Sequence, residues 1–360
     1  MKINKIRLNS FKNYDQTGFG FHDRVNVISG NNGIGKTNLL DAVYYLCLGR
    51  SYFTNLDSNV IAHNQDWFRL EGDFEKDEIV EKVAIVCRRS ESKTIEVAGV
   101  KYKKMSDHLG AFPAVMIAPL DIQILMESSE NRRKFINNTL IQISQKYLSN
   151  LLVYNRLLNQ RNALLKQSLE KGFLDLTLIE SIDRNIYQPA QDIYEERQIL
   201  VSELSALFDY YHKKITGDRE AATINYVSKL HDKPLSQLMK EALPKDKILG
   251  RTTRGIHKDD LEFIMDGREL KKFASQGQLK SFVIALKLAQ FDYIKKISGK
   301  NPLILLDDIF AKLDDQRVHN LIDLLYHKSE SQLFITDTSE DRLKSILENA
   351  KVDFKGIHLR

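Results

Sequence analysis

Hydrophobic and polar positions follow three successive textures along this chain. Residues 1–120 divide into short alternating or β-rich runs, "KINKIRL", "VNVIS", "FRLEGDFE", "KVAIVCRR", "KTIEVAG" and "PAVMIA", which predict strands joined by turns. From about Ser128 the spacing changes to a helical one. Ile136, Leu140, Ile143, Tyr147, Leu151, Tyr154, Leu158 and Leu165 fall on one stripe, predicting a helix sustained for about eight turns. A second run, "LIESIDRNIYQPAQDIYEERQILVSELSALFDYYHKKI", predicts a returning helix kinked at Pro189, with the turn near "EKGFLDL". Together they predict an antiparallel helical pair over roughly residues 127–215 whose stripe holds the two helices to each other. β texture resumes at "ATINYVS" and "LEFIMDG". A helix over "GQLKSFVIALKLAQFDYIKKIS" then leads to a strand, "PLILLDD". The expected organisation is an α/β protein: a head built from residues 1–126 and 246–360, and a mainly helical lobe inserted at residues 127–245.

The strand "VNVIS" runs directly into "GNNGIGKT", which fits G-x-x-x-x-G-K-[ST], the phosphate-binding loop. Gly30, Gly33 and Gly35 permit tight turning and close approach of backbone to ligand. The N–H groups of Gly30, Asn31, Asn32, Gly33, Ile34 and Gly35, with the positive end of the following helix, form a concave anion site. Lys36 would reach the β- and γ-phosphates, and the Thr37 hydroxyl would bind Mg²⁺. A turn rich in Gly and Asn could match by chance, but this one sits between a β-branched run and a helical period (Leu39, Leu40, Val43, Leu46).

A phosphate loop needs an acid at the end of a neighbouring strand. "PLILLDD" supplies two: Asp307 for the Mg²⁺ shell and Asp308 to orient or deprotonate the attacking water. An apolar strand ending in Asp is common, so this motif gains its meaning from the phosphate loop and from Ser275-Gln276-Gly277-Gln278 ahead of it. That turn reads as a helix N-cap. A capped helix N-terminus is also an anion site.

Composition is ordinary for a globular protein, 42% hydrophobic and 28% charged, with a mild net charge of +5 that permits a nucleic-acid partner without demanding one. No apolar run reaches the ~18 residues of a membrane span, and the first residues lack the apolar core of a signal peptide. Cys47 and Cys87 lie in apolar stretches and are expected as buried thiols of a cytoplasmic protein.

With these residues in hand, the chain resembles the RecF family of bacterial recombinational repair ATPases, relatives of the SMC proteins in the ATP-binding-cassette class. The likeness rests on "LNSFKNY" (8–14), "GNNGIGKTNLLDAVYYLCLGRSYFT" (30–54), "NRRKFINNTL" (131–140), "GIHKDDLEF" (255–263), "FASQGQLKSFVIALKLAQ" (273–290) and "LLDDIFAKLDDQR" (305–317). It implies a P-loop cassette-type ATPase head with mixed sheets and a helical second lobe. It also implies ATP and Mg²⁺ as ligands, weak ATP hydrolysis, and binding to DNA (single-stranded, duplex or gapped). Further implications are an ATP-dependent homodimer, other recombination-mediator proteins as partners, and service to replication and the SOS response. In that geometry Ser275, Gln276 and Gly277 form the signature segment that meets the γ-phosphate held by a second subunit, and Asp314 falls in the loop coupling the two. Lys12 and Arg50 are candidate phosphate or adenine-side contacts. Asp337 stands where many cassette ATPases carry a switch histidine and cannot donate a hydrogen bond when ionised. His257 is expected to be structural.

A transporter ATPase, or another cassette ATPase that does not act on DNA, would share the loop and the acid strand. It would not need a helical insertion reaching about 50–60 Å. Candidate DNA-facing residues are Arg132, Arg133 and Lys134, then Arg251, Arg254 and Lys258, then Lys271 and Lys272. Each group is more often a solvated face than a binding site.

Overall fold

A computed structural model describes residues 1–217, 220–310, 315–327, 330–337 and 340–359. They divide into two compact units. The first comprises Met1–Ile122, Tyr210–Arg219 and Ser275–Arg360, and the second Gln123–Asp209 and Glu220–Ala274. The first division falls close to the expected 126/127. The second falls at 274/275 rather than 245/246, because the strand expected to open the returning head pairs instead with a strand of the inserted unit.

Two sheets build the first unit. β1 (Lys2–Phe11), β2 (Tyr14–Gly20), β4 (Trp67–Lys76), β5 (Ile79–Arg88), β6 (Thr94–Val97) and β7 (Val100–Lys101) form an antiparallel sheet in the order β2-β1-β4-β5-β6-β7. β3 (Val25–Ser29), β8 (Ala114–Ile117), β12 (Leu303–Asp307), β13 (Leu333–Asp337) and β14 (Lys355–His358) form a parallel sheet in the order β14-β3-β13-β12-β8. Every residue of β3, β8, β12 and β13 is buried, as parallel strands covered on both faces require. Helix α1 (Lys36–Leu48) packs against β1, β4 and β5 of one sheet and β8, β12 and β13 of the other. Eleven of its thirteen residues are buried, which is why its sequence is apolar nearly all round rather than striped. Cys47 lies on this helix and Cys87 on β5, both as buried free thiols. α8 (Gln276–Ser298), α9 (Asp315–His327) and α10 (Glu340–Asn349) complete the unit.

The second unit holds α3 (Ser129–Leu140), α4 (Gln145–Lys171) and α5 (Leu176–Thr216) as far as Asp209, the last turns of α5 belonging to the first unit, and α2 (Ile122–Met126) precedes them in the chain. The predicted first helix is therefore broken at residues 141–144. Ser144 restarts it as an N-cap, its Oγ accepting from Tyr147 N at 3.0 Å. Pro189 lies inside the single helix α5. β9 (Ala222–Val227), β10 (Asp260–Met265) and β11 (Arg268–Glu269) make a small antiparallel sheet, with α6 (Leu235–Leu249) and the short α7 (Leu270–Phe273) beside them in the chain. No described helix is long and apolar enough to cross a membrane.

Candidate nucleotide site

The phosphate loop joins buried β3 to buried α1, so both ends of residues 30–35 are fixed by core packing. Gly35 has φ 119°, and a Cβ there would lie 2.6 Å from Asn13 Nδ2 and 2.9 Å from the Tyr14 hydroxyl. Only glycine fits. Those same two side chains brace the loop: Asn13 Nδ2 donates to Ile34 O at 2.9 Å, and the Tyr14 hydroxyl donates to Gly35 O at 3.0 Å. Asn31, Asn32 and Gly33 are exposed at the loop's rim. Lys36 is buried, and its ammonium bridges the loop by donating to Gly30 O at 2.7 Å and Asn31 O at 3.0 Å.

Strand order brings the acids to this loop. β12 is separated from β3 by β13 alone, and the register sets Asp307 beside Thr336 and Asp337 beside Ser29. Thr37 Oγ1 donates to Asp307 Oδ1 at 2.8 Å, and Thr336 Oγ1 donates to the same oxygen at 2.8 Å. Burial pushes Asp307 above the usual carboxylate range, opposed by these two hydroxyls and by the Lys36 charge. Asp308 follows with φ 48°, a left-handed backbone fixed where its N–H donates to Thr336 Oγ1 at 2.9 Å. Its Oδ1 is buried and has no hydrogen-bond partner among the described residues. Burial raises Asp308 too, with the neighbouring Asp337 and Asp307 charges adding to the effect. A cleft of about 30 Å³ opens beside it, lined among others by Lys280, Val283, Ile284 and Ile309.

Ser275 caps α8 reciprocally with Gln278: Ser275 Oγ accepts from Gln278 N at 3.3 Å, and Gln278 Oε1 accepts from Ser275 N at 2.8 Å. The helix thus opens at Gln276, one residue ahead of the predicted run. Ser275 and Gln276 are exposed, and Gly277 O accepts from Arg317 Nη1 at 3.2 Å. No hydrogen bond among the described residues links residues 275–277 to residues 30–37. Asp314 lies outside the described residues.

Other candidates have different surroundings. Lys12 Nζ is paired with Asp41 at 2.6 Å, Asp41 being fully buried in α1, and the Lys12 charge also acts on Asp307. Arg50 is half-buried just after α1. Asp121 is committed on both oxygens, accepting from the Tyr52 hydroxyl and from Ala118 N. His257 lies in the second unit and bonds Tyr154 and Thr252, a structural role as expected. Sequence reasoning gave no role to Asn13, Tyr14 or Thr336. The first two lay within a motif, "LNSFKNY", but only the fold shows what they touch.

The whole chain, residues 2–357, matches the family model of the RecF/RecN/SMC N terminal domain. A relative from Flavobacterium johnsoniae, described as DNA replication and repair protein RecF, is 39% identical over the full length of both chains. One of the same description from Cytophaga hutchinsonii is 38% identical, covering 99% of this chain and 94% of its own. Among solved structures, the recombination mediator protein RecF-ATPrS in the RecFOR pathway superposes with a TM-score of 0.88 at 27% identity, covering 100% of this chain and 96% of that one. An SMC head domain from Pyrococcus furiosus, at 19% identity and a TM-score of 0.57, shares the fold. By full-length sequence and by fold, this chain belongs to the RecF family.

Proposed function

We propose that this chain is an ATP-dependent DNA-binding protein of recombinational repair and replication restart, and a weak ATPase. One observation carries the reading: Thr37 Oγ1 lies 2.8 Å from Asp307 Oδ1 although 270 residues separate them in sequence. A phosphate loop closed onto an acid-tipped strand is the arrangement that a nucleotide with its metal requires. Mg²⁺, when bound, supplies positive charge to the β- and γ-phosphate oxygens, and Thr37 and Asp307 are the residues to hold it. Two protein ligands suit a cation that takes its remaining ligands from phosphate and water. Lys36 sits within the loop to neutralise phosphate charge, while the N–H groups of residues 30–35 cradle it. Asp308, next in the chain to Asp307 and with an oxygen that has no hydrogen-bond partner among the described residues, orients the attacking water.

Ser275, Gln276 and Gly277, at the head of α8 with the first two exposed, address the γ-phosphate of a second copy. ATP then joins two chains, the pair clamps DNA, and slow hydrolysis resets it. The names of the RecF relatives and the RecFOR setting of the related structures support DNA repair and replication as the context, with recombination-mediator proteins as partners. Full-length likeness to RecF leaves the transporter reading without support. Sedimentation velocity with ATP and Mg²⁺, with and without duplex DNA, tests the proposal. The expected result is an ATP-induced dimer that carries DNA only when ATP is present. A chain that stays monomeric with ATP, or binds DNA equally without it, would count against the proposal.

A further inference from the structure

Several cations of the second unit are answered by acids. Arg132 forms a two-pronged pair with Asp260, at 2.5 and 3.0 Å. Lys134 meets Glu130 at 2.9 Å, and Lys271 and Lys272 share Glu269 at 2.9 and 2.7 Å. One short turn gathers three that are not. Arg251, Arg254 and Lys258 are exposed and make no ion pair among the described residues. Arg133 joins them, its Nη1 donating to Asp259 O at 2.8 Å at the turn's end.

The turn is fastened from behind by groups that the nucleotide site does not use. Asp246, fully buried, accepts from Thr253 N at 2.9 Å, from Thr253 Oγ1 at 2.7 Å and from Arg161 Nη1 at 2.7 Å. Asn162 Oδ1 accepts from Thr252 N at 2.8 Å, and Arg197 Nη1 donates to Ile256 O at 2.8 Å. His257 Nε2 closes the turn on Thr252 O at 3.1 Å. At Gly255, with φ 130°, a Cβ would come within 2.6 Å of the Tyr154 hydroxyl, so the chain passes too close for any other residue. Residues 252, 253, 256 and 257 are thus bonded inward while 251, 254 and 258 are left to solvent. Crowding of like charge is visible at Lys258: burial of its stem lowers the ammonium below its usual range, and the Arg251 and Arg133 charges lower it further.

We propose that Arg251, Arg254 and Lys258, with Arg133, form a rigid contact for the phosphate backbone of DNA. The inference rests on the reading of the chain as a DNA-binding protein and assigns the residues that perform it. Cations on a fixed backbone, with their own acids withheld, suit a polyanion whose charges repeat at regular spacing. They meet it without a backbone ordering cost, because the buried Arg161–Asp246 network has already set the turn. Contacts of this kind position the duplex and carry no sequence information. An acidic protein partner is the competing occupant, since Ile248 and Leu249 are exposed at the end of the preceding helix.

The test compares the intact chain with its Arg251→Gln/Arg254→Gln/Lys258→Gln variant by fluorescence anisotropy on duplex DNA, with ATP and Mg²⁺ present, across a potassium chloride series. Affinity should fall about tenfold or more, and the slope of log affinity on log salt should shrink by about 2 to 3, with ATP affinity and unfolding midpoint unchanged. The acid-paired Lys271→Gln/Lys272→Gln variant should keep the parental slope. A triple variant with the parental slope overturns the inference while leaving the DNA-binding reading intact. So does a triple variant that loses affinity for polyglutamate but not for DNA. A parent chain that shows no salt-dependent DNA binding overturns both.

Discussion

Asp308 combines three features that packing alone does not explain. Its backbone is left-handed at φ 48°, its Oδ1 is buried without a partner among the described residues, and two further carboxylates, Asp307 and Asp337, push its charge in the same unfavourable direction. A non-glycine residue held so pays strain and desolvation together, a combination that clusters at active sites. Asparagine tolerates the same backbone, so Asp308→Asn should fold normally and bind ATP with near-parental affinity while hydrolysis slows about 10²- to 10³-fold. Single-turnover hydrolysis beside equilibrium ATP binding separates the two, and unchanged turnover would remove Asp308 from the chemistry. His257 presents the opposite case, a titratable group with both nitrogens occupied. Its Nε2 donates to Thr252 O and its Nδ1 accepts from the Tyr154 hydroxyl, the neutral tautomer that these partners require. Burial pushes it down to about 4. Because the folded chain then binds fewer protons than the unfolded one between pH 4 and about 6.5, this contribution is present above about pH 6.5 and is lost as pH falls toward 4. Urea midpoints at pH 7 and pH 5 should converge for His257→Gln relative to the parent. Equal acid sensitivity in both would show that other groups set it.

At the scale of elements, what the sequence made legible was local. The phosphate loop, the acid-tipped strand and the Ser275 cap are each written in a few adjacent residues, and each stands in the predicted element. What depended on distant pairing was not legible. The order β14-β3-β13-β12-β8 sets Thr336 beside Asp307, yet nothing in "FITD" announces that neighbour. Ile143 carries the helical stripe across the break at 141–144, because periodicity counts apolar positions and overlooks a capping serine. Helix α6 escaped the pattern for a related reason: Pro244 lies within it, and its "LPKDK" reads as a turn. The same helix supplies Asp246 to the fully buried Arg161, which also meets Asp183 at 2.7 Å. Arg161 therefore ties α4, α5 and α6 together. Arg161→Met should destabilise the chain by about 3 kcal/mol, chiefly by leaving two buried carboxylates without their cation. Chemical denaturation measures it, and a loss below about 1 kcal/mol would mean that water replaces the guanidinium.

For the whole molecule, the decisive feature is that the phosphate loop and the Ser275 cap proposed to serve it lie on one chain without meeting. Asp307 meets Thr37 directly, whereas the exposed Ser275 cap has no hydrogen bond to the loop. If the cap serves the γ-phosphate, it must do so across a two-fold axis, each chain offering a loop to its partner and a cap in return. Such an interface closes on itself as a dimer and goes no further. ATP then bridges two chains, and DNA binding, dimerisation and hydrolysis become one linked event. Ser275→Arg places bulk and positive charge at this junction without touching the loop, so ATP binding by the monomer should survive while the other three are lost together. Removal of the cap itself has a cost of about 1 kcal/mol to the helix, and Ser275→Ala measures that share alone, since it leaves the junction open. The expected pattern in sedimentation, turnover and DNA-binding assays is severe loss for the arginine variant and a mild defect for the alanine variant. An arginine variant that hydrolyses ATP at the parental rate as a monomer would show that each chain completes its own site.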